Sequence, residues 1–127
     1  MTKNIISECI RIAKYKIKNH PLKEKKHFCF VVQGNKIISI GMNRNEPART
    51  EMGYPPYSKR HAELDAWMSA RKIYDKFKKF EIFNIRMNNS GDPRMSKPCQ
   101  CCHTIMAEYG CSKAYFTTKF GIAKIIL

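Results

Sequence analysis

No apolar run in this chain is long enough to cross a bilayer, so a membrane-spanning reading is excluded at the outset. Nor does the N-terminus carry a short apolar segment followed by small residues, so a secretory signal is not expected. Internal repeats and low-complexity segments are also missing. With 127 residues there is material for one packed core and too little for two, which leaves a single domain spanning residues 1–127. Acidic residues are scarce: 10 stand against 24 lysines and arginines, a formal net charge of +14. A polyanionic partner such as nucleic acid or a phosphorylated substrate would explain that excess. A compositional bias that leaves a solvated basic surface would explain it as well, because the lysines are spread along the chain.

The six cysteines are distributed unevenly. Cys99, Cys101 and Cys102 are nearly adjacent, whereas Cys9, Cys29 and Cys111 lie inside apolar patterns. Metal ligation and free thiols in a reducing compartment fit that spacing better than a disulfide framework, and a cytoplasmic protein is expected.

Residues 2–19 read as an amphipathic helix, with Ile5, Cys9 and Ile12 on one stripe and Pro21 beyond its end. Residues 27–33 and 36–43 read as two strands joined by a hairpin turn at Gly34-Asn35. The connection 44–60 is long and rich in proline, arginine and tyrosine. Tyr54 and Tyr57 could stack on unpaired bases while its arginines hold phosphates. A second helix is expected from His61 to about Asp75, with Leu64, Trp67, Met68, Ile73 and Phe77 as its apolar band. Residues 80–87 alternate as a third strand, and 88–97 form a loop rich in Gly, Pro and Asn. Pro98 opens a third helix that Gly110 stops. Residues 112–118 and 122–127 are the last strands. The three residues between them are too few for a parallel crossover, so they form an antiparallel hairpin. The resulting class is α/β: a five-stranded mixed sheet between helical layers.

Two short motifs carry chemistry. His61-Ala62-Glu63 opens the second helix, and Pro98-Cys99-Gln100-Cys101-Cys102 opens the third. One imidazole and the thiolates of Cys99 and Cys102 are three soft ligands for zinc, which leaves the fourth tetrahedral position open, as in catalytic sites. Glu63, two residues after the His, is placed to reach a water there rather than the metal. His27 and His103 are spare histidines, each more simply a surface or packed residue than a ligand. A competing reading is a zinc knuckle in a basic nucleic-acid-binding module, with Cys101 or His103 as an extra ligand; it needs neither Glu63 nor so large a sheet.

In these motifs and their order the chain resembles the cytidine deaminase-like superfamily of zinc-dependent deaminases, and looks most like small phage and bacterial members. The resemblance implies a three-layer α/β/α fold, with His61, Cys99 and Cys102 holding Zn2+ and Glu63 carrying the proton. It implies that Asn43, at the end of the second strand, bonds the sugar. The N–H of Ala62 would hold the pyrimidine carbonyl, and the carbonyl of Lys97 would accept from the amino group. Two positions depart from the free-cytidine enzymes, which usually have Cys as the first ligand and Glu two residues after the strand-end Asn. Here those positions hold His61 and Asn45, with Arg44 between as a candidate phosphate contact.

The expected reaction is hydrolysis of cytosine to uracil with release of ammonia. The basic, aromatic connection and the charge favour cytosine in single-stranded DNA or RNA. The alternative is free deoxycytidylate or cytidine, with the connection folded over as a lid. Apolar strand and helix faces would permit a homo-oligomer.

Overall fold

The computed structural model describes residues 1–73 and 79–127. The first helix, α1 (Lys3–Lys16), starts at Thr2, whose hydroxyl caps the Ile5 N–H at 3.3 Å, and continues as a 3-10 turn through Asn19. Strands β1 (Lys26–Gln33) and β2 (Lys36–Met42) form the expected hairpin. Gly34 and Asn35 both have positive φ, the backbone that a two-residue turn matched to strand twist demands.

The connection that reads as irregular in sequence is partly ordered. It contains β3 (Arg44–Pro47) paired antiparallel with β4 (Lys59–Arg60), and a 3-10 turn at Thr50–Met52. Helix α2 (Ala62–Ile73) follows; the expected extension through Asp75 and Phe77 lies outside the described residues. Strand β5 (Phe80–Met87) comes next, and a short β6 (Pro93–Arg94) pairs with its far end inside the expected loop. Helix α3 (Gln100–Glu108) and the antiparallel hairpin β7 (Cys111–Thr118) and β8 (Gly121–Ile126) complete the chain.

The main sheet runs β2-β1-β5-β7-β8, with β6 attached to the end of β5. Among the described residues only β5 and β7 are parallel neighbours, and α3 supplies the crossover that a parallel pair needs. Side-chain alternation divides the sheet into two faces. Phe28, Phe30, Val32, Phe83 and Ile85 pack with Cys9 and Ala13 of α1 and Ile17 of the 3-10 turn that follows it. Cys29, Val31, Phe80 and Ile82 pack with Leu64, Trp67, Ile105 and Met106 of α2 and α3. Trp67 stacks on Tyr109 with ring centroids 4.1 Å apart, a core anchor as its helical position suggested. This is the expected three-layer α/β/α architecture. Among the described residues no helix is long and apolar enough to cross a membrane.

Two contacts set the height of α2 over the sheet. A Cβ at Gly41 would collide with the backbone nitrogen of Ala66 and the carbonyl of Ala62, so the helix lies directly on β2. Asp65, buried in the first turn of α2, accepts from the Met42 N–H at 2.9 Å and ion-pairs with Arg44 and Arg60.

Candidate metal centre and catalytic cavity

His61 immediately precedes α2, and its carbonyl accepts the Asp65 N–H, so the imidazole leaves the helix at its N-terminal mouth. Cys99 caps α3: it lies just outside the helix, and its sulfur accepts the Cys102 N–H at 3.5 Å. Cys102 is one turn in and fully buried. His61 Nδ1 is 3.5 Å from Cys99 Sγ and 3.2 Å from Cys102 Sγ, and the three donor atoms all lie within 4.8 Å of one another. Zinc bonds of about 2.3 Å to sulfur and about 2.0 Å to nitrogen give tetrahedral edges of roughly 3.6 Å, so the trio fits that ion. Among the described residues no other His, Cys, Asp or Glu cluster of that size occurs, and Cys101 and His103 are not in it.

Hydrogen bonds from Cys102 and His61 hold the Cys99 thiol down at about 4, against burial that pushes the other way. Its place at a helix N-terminus acts in the same direction. The His61 imidazole is raised, chiefly by its hydrogen bond with Cys99.

Glu63 is buried on the inner side of α2, and burial pushes its carboxyl above the ordinary value. Its Oε2 accepts from Asn84 Nδ2 at 3.1 Å. The same amide nitrogen donates to the Ser96 carbonyl at 3.2 Å, while Asn84 Oδ1 is buried with no partner among the described residues. Ser96 is buried too, and its hydroxyl bonds the Asn84 carbonyl and Thr117. The Asn84 side chain thus links the carboxylate on α2 to the segment that leads into Lys97, Pro98 and Cys99.

His61, Glu63 and Cys99 open on a cavity of about 220 Å³, whose other walls include Asn43, Ala62, Lys97 and His27. The volume is below the usual range of about 300–1,000 Å³ for drug-sized ligands and suits a single ring with part of its substituent. The Ala62 N–H lies in the first turn of α2, where no intrahelical acceptor is available. Asn43 is in the wall, but its amide already has partners: Oδ1 accepts the His27 N–H at 2.9 Å and Nδ2 donates to the Lys25 carbonyl at 2.8 Å.

Three of the residues assigned to substrate from sequence lie elsewhere. Arg44 is not in the cavity wall; its Nε is 3.0 Å from Asp65 Oδ1, so its charge is matched within the fold. Tyr54 is buried, which removes it as an open stacking platform. Its hydroxyl shares a 3.0 Å hydrogen bond with Cys102 Sγ, and its ring meets His61 edge-on. Tyr57 is 85% exposed and does not line the cavity.

Conversely, His27 and Ser96 line the cavity and Asn84 holds Glu63; the sequence sets His27 aside as a spare histidine, and spacing singles out neither Asn84 nor Ser96. Asn84 does carry a signal, a lone amide inside the apolar run Ile82-Phe83-Asn84-Ile85 of β5. A buried amide of that kind demands partners.

By sequence, the chain matches no protein-family model and no curated protein. By structure it is similar to the dCMP deaminase of cyanophage S-TIM5, solved in complex with dCMP and dUMP. That alignment has a TM-score of 0.64 and 22% identity, over 91% of this chain and 82% of the other. It is also similar to the cytidine deaminase of Burkholderia pseudomallei, with a TM-score of 0.67 and 18% identity over 99% and 93% of the two chains. A third match is the cytidine deaminase of Mycobacterium leprae, at 0.57 and 16% over 91% and 88%. The fold of this chain is the cytidine deaminase-like fold.

Proposed function

We propose that this protein is a zinc-dependent hydrolytic deaminase that converts the cytosine of a free nucleotide or nucleoside to uracil and ammonia. The observation that carries the reading is the buried Glu63 carboxylate, held by Asn84 beside a three-donor His/Cys/Cys set, with both opening on one small cavity. His61, Cys99 and Cys102 would hold zinc, which supplies a Lewis acid that brings the pKa of a water toward neutrality.

Glu63 then does the proton work. It takes a proton from the water that attacks C4 of the ring, passes it to N3, and delivers the second proton to the departing amine. Its raised pKa suits a group that must both accept and return protons near neutral pH. The Ala62 N–H is the donor available to the ring carbonyl, and the Lys97 carbonyl is the acceptor for the amino group. Asn84 holds the carboxylate through its hydrogen bond to Glu63 Oε2. The cleaved C–N bond is replaced by C4=O, and ammonia leaves.

A free substrate is favoured over a polymer for two reasons. The cavity is small, and two of the residues that would have gripped a strand are engaged in the fold: Arg44 by Asp65 and Tyr54 by Cys102. The S-TIM5 and Burkholderia proteins that share the fold are named for dCMP and cytidine. The test is ammonia release by zinc-loaded protein from dCMP, deoxycytidine and a cytosine-containing single-stranded oligonucleotide, assayed separately. Turnover of a free substrate is expected. Turnover of the oligonucleotide alone would overturn this reading, as would a lack of ammonia from all three. Glu63→Ala should keep its zinc and lose at least about 100-fold in turnover, because the carboxylate is not a ligand.

A further inference from the structure

The register of three strands places a row of basic side chains beside the cavity. His27 of β1 is directly opposite Arg86 of β5, and Arg86 is opposite Arg94 of β6. By alternation from Cys29 and Val31 on β1, and from Phe80 and Ile82 on β5, this row lies on the sheet face that bears α2, α3 and the metal centre. Asn84, which holds Glu63, is two residues before Arg86 on that face. The row therefore runs outward from the reacting centre.

Like charges directly opposite one another on neighbouring strands are unfavourable unless an anion lies between them. Among the described residues, neither Arg86 nor Arg94 nor nearby Lys25 forms an ion pair; Arg94 Nη1 only reaches the Pro93 carbonyl at 2.9 Å. The three cations line a cleft of about 180 Å³ whose wall, among the described residues, holds Glu24 as its one acidic group. His27, which is opposite Arg86 on the neighbouring strand, lines the catalytic cavity. Burial, and then the Arg86 charge, hold its imidazole down at about 4, so the positive charge near neutral pH comes from the three cations.

Lys25 has a left-handed backbone, φ 49, which a non-glycine residue adopts only when held there. Asn43 of the cavity wall does the holding, through the Lys25 carbonyl and the His27 N–H. One side chain thus shapes both compartments.

We propose that the cleft of Lys25, Arg86 and Arg94 is a phosphate subsite, which takes the monophosphate of a cytosine nucleotide whose ring occupies the cavity at Glu63. This rests on the deaminase reading above. Guanidinium groups suit the role because their planar fork matches phosphate oxygens in pairs. The backbone phosphate of a polynucleotide has the same chemistry, and the experiment separates the two sources.

Binding of product avoids turnover. Zinc-loaded protein would be titrated by calorimetry with dUMP, with deoxyuridine, and with a short single-stranded oligonucleotide containing one deoxyuridine. Deamination of dCMP and deoxycytidine would be assayed alongside. The expected result is that dUMP binds about 10- to 100-fold tighter than deoxyuridine. The same preference should appear in kcat/KM for dCMP over deoxycytidine. Arg86→Gln, and separately the surface pair Lys25→Gln with Arg94→Gln, should each shrink that ratio. Arg86→Lys should retain part of it, which a merely structural loss would not do.

Equal binding of dUMP and deoxyuridine, with deoxycytidine still deaminated, overturns the subsite and leaves the deaminase reading intact. If the oligonucleotide binds tighter than dUMP and the variants weaken only the oligonucleotide, a monophosphate site is overturned. If neither product binds and no ammonia forms, the deaminase reading itself falls.

Discussion

Tyr54 and Asn84 do not meet the substrate by any contact described above, yet each grips a group that the chemistry needs. The Tyr54 hydroxyl lies 3.0 Å from Cys102 Sγ, and burial pushes the phenol pKa up, so it keeps its proton. With zinc bound, Cys102 would be a thiolate, and only the phenol would have a proton to donate. Tyr54→Phe removes that donor and preserves the ring against His61. Partners of this kind typically contribute about 10- to 100-fold in metal affinity, and a weakening in that range is expected by chelator competition. An unchanged affinity would reduce the contact to packing. Asn84→Ala takes the amide from Glu63 and from the Ser96 carbonyl at once. A fall in kcat of about tenfold or more is expected with zinc content unchanged, since no ligand is touched. Loss of metal in this variant would mean that the amide acts through the Cys99 segment instead of through the carboxylate.

At the scale of elements, the centre depends on two helix N-termini and the strand end between them. Helix α2 must lie against β2 closely enough for His61 to reach the thiols at the start of α3. Gly41 permits this because the position of its missing Cβ is occupied by backbone of α2. A methyl there meets rigid main chain, which cannot rotate away as a side chain could. Gly41→Ala is expected to destabilise the protein by about 3 kcal/mol and to lower zinc affinity together with it. Chemical denaturation and metal titration would check the pair; a stable variant with normal zinc binding would show that α2 can lift without cost. The short β3–β4 pair has a related role. Its arginines, Arg44 and Arg60, meet on Asp65 and anchor the segment that precedes His61.

Across the whole molecule, burial of imidazoles couples folding to pH. His27 is held down at about 4 and His20 is also lowered, in both cases first by burial. A depressed histidine is neutral in the fold and protonates more readily once unfolded. Its contribution is therefore fully present above about pH 6.5, the unfolded value, and is lost as pH falls toward about 4. The melting temperature should fall between pH 7 and pH 4.5, and His27→Gln should flatten that fall. If both proteins lose stability in parallel, His27 does not carry the dependence.

Much of this architecture was legible locally. Gly34-Asn35 allows the turn that a hairpin needs, and the three residues 119–121 are too few for anything but an antiparallel return. Pro98 before Cys99 marks a helix start, so the spacing to Cys102 places both sulfurs at one helix mouth. These features depend on neighbours within a turn or a strand, where the 3.6- and 2-residue periods translate spacing into direction. For that reason the His/Cys/Cys trio that could hold a metal and the layered α/β order could be read from the chain alone.

Tertiary structure decided where the long-range partners fall. Nothing near Tyr54 in sequence says that its hydroxyl will find Cys102, or that Asp65 will neutralise Arg44 before a phosphate can. The partner of Asn84 is Glu63, on another element and across the sheet face. Arg86 meets His27 on one side and Arg94 on the other only because β1, β5 and β6 pair in that register. Such contacts follow from the packing of the whole chain, in which each side chain settles against the nearest buried partner of matching charge or hydrogen-bonding capacity. Residue spacing therefore determined which groups could do the chemistry, and packing decided which of them remain free to meet a substrate.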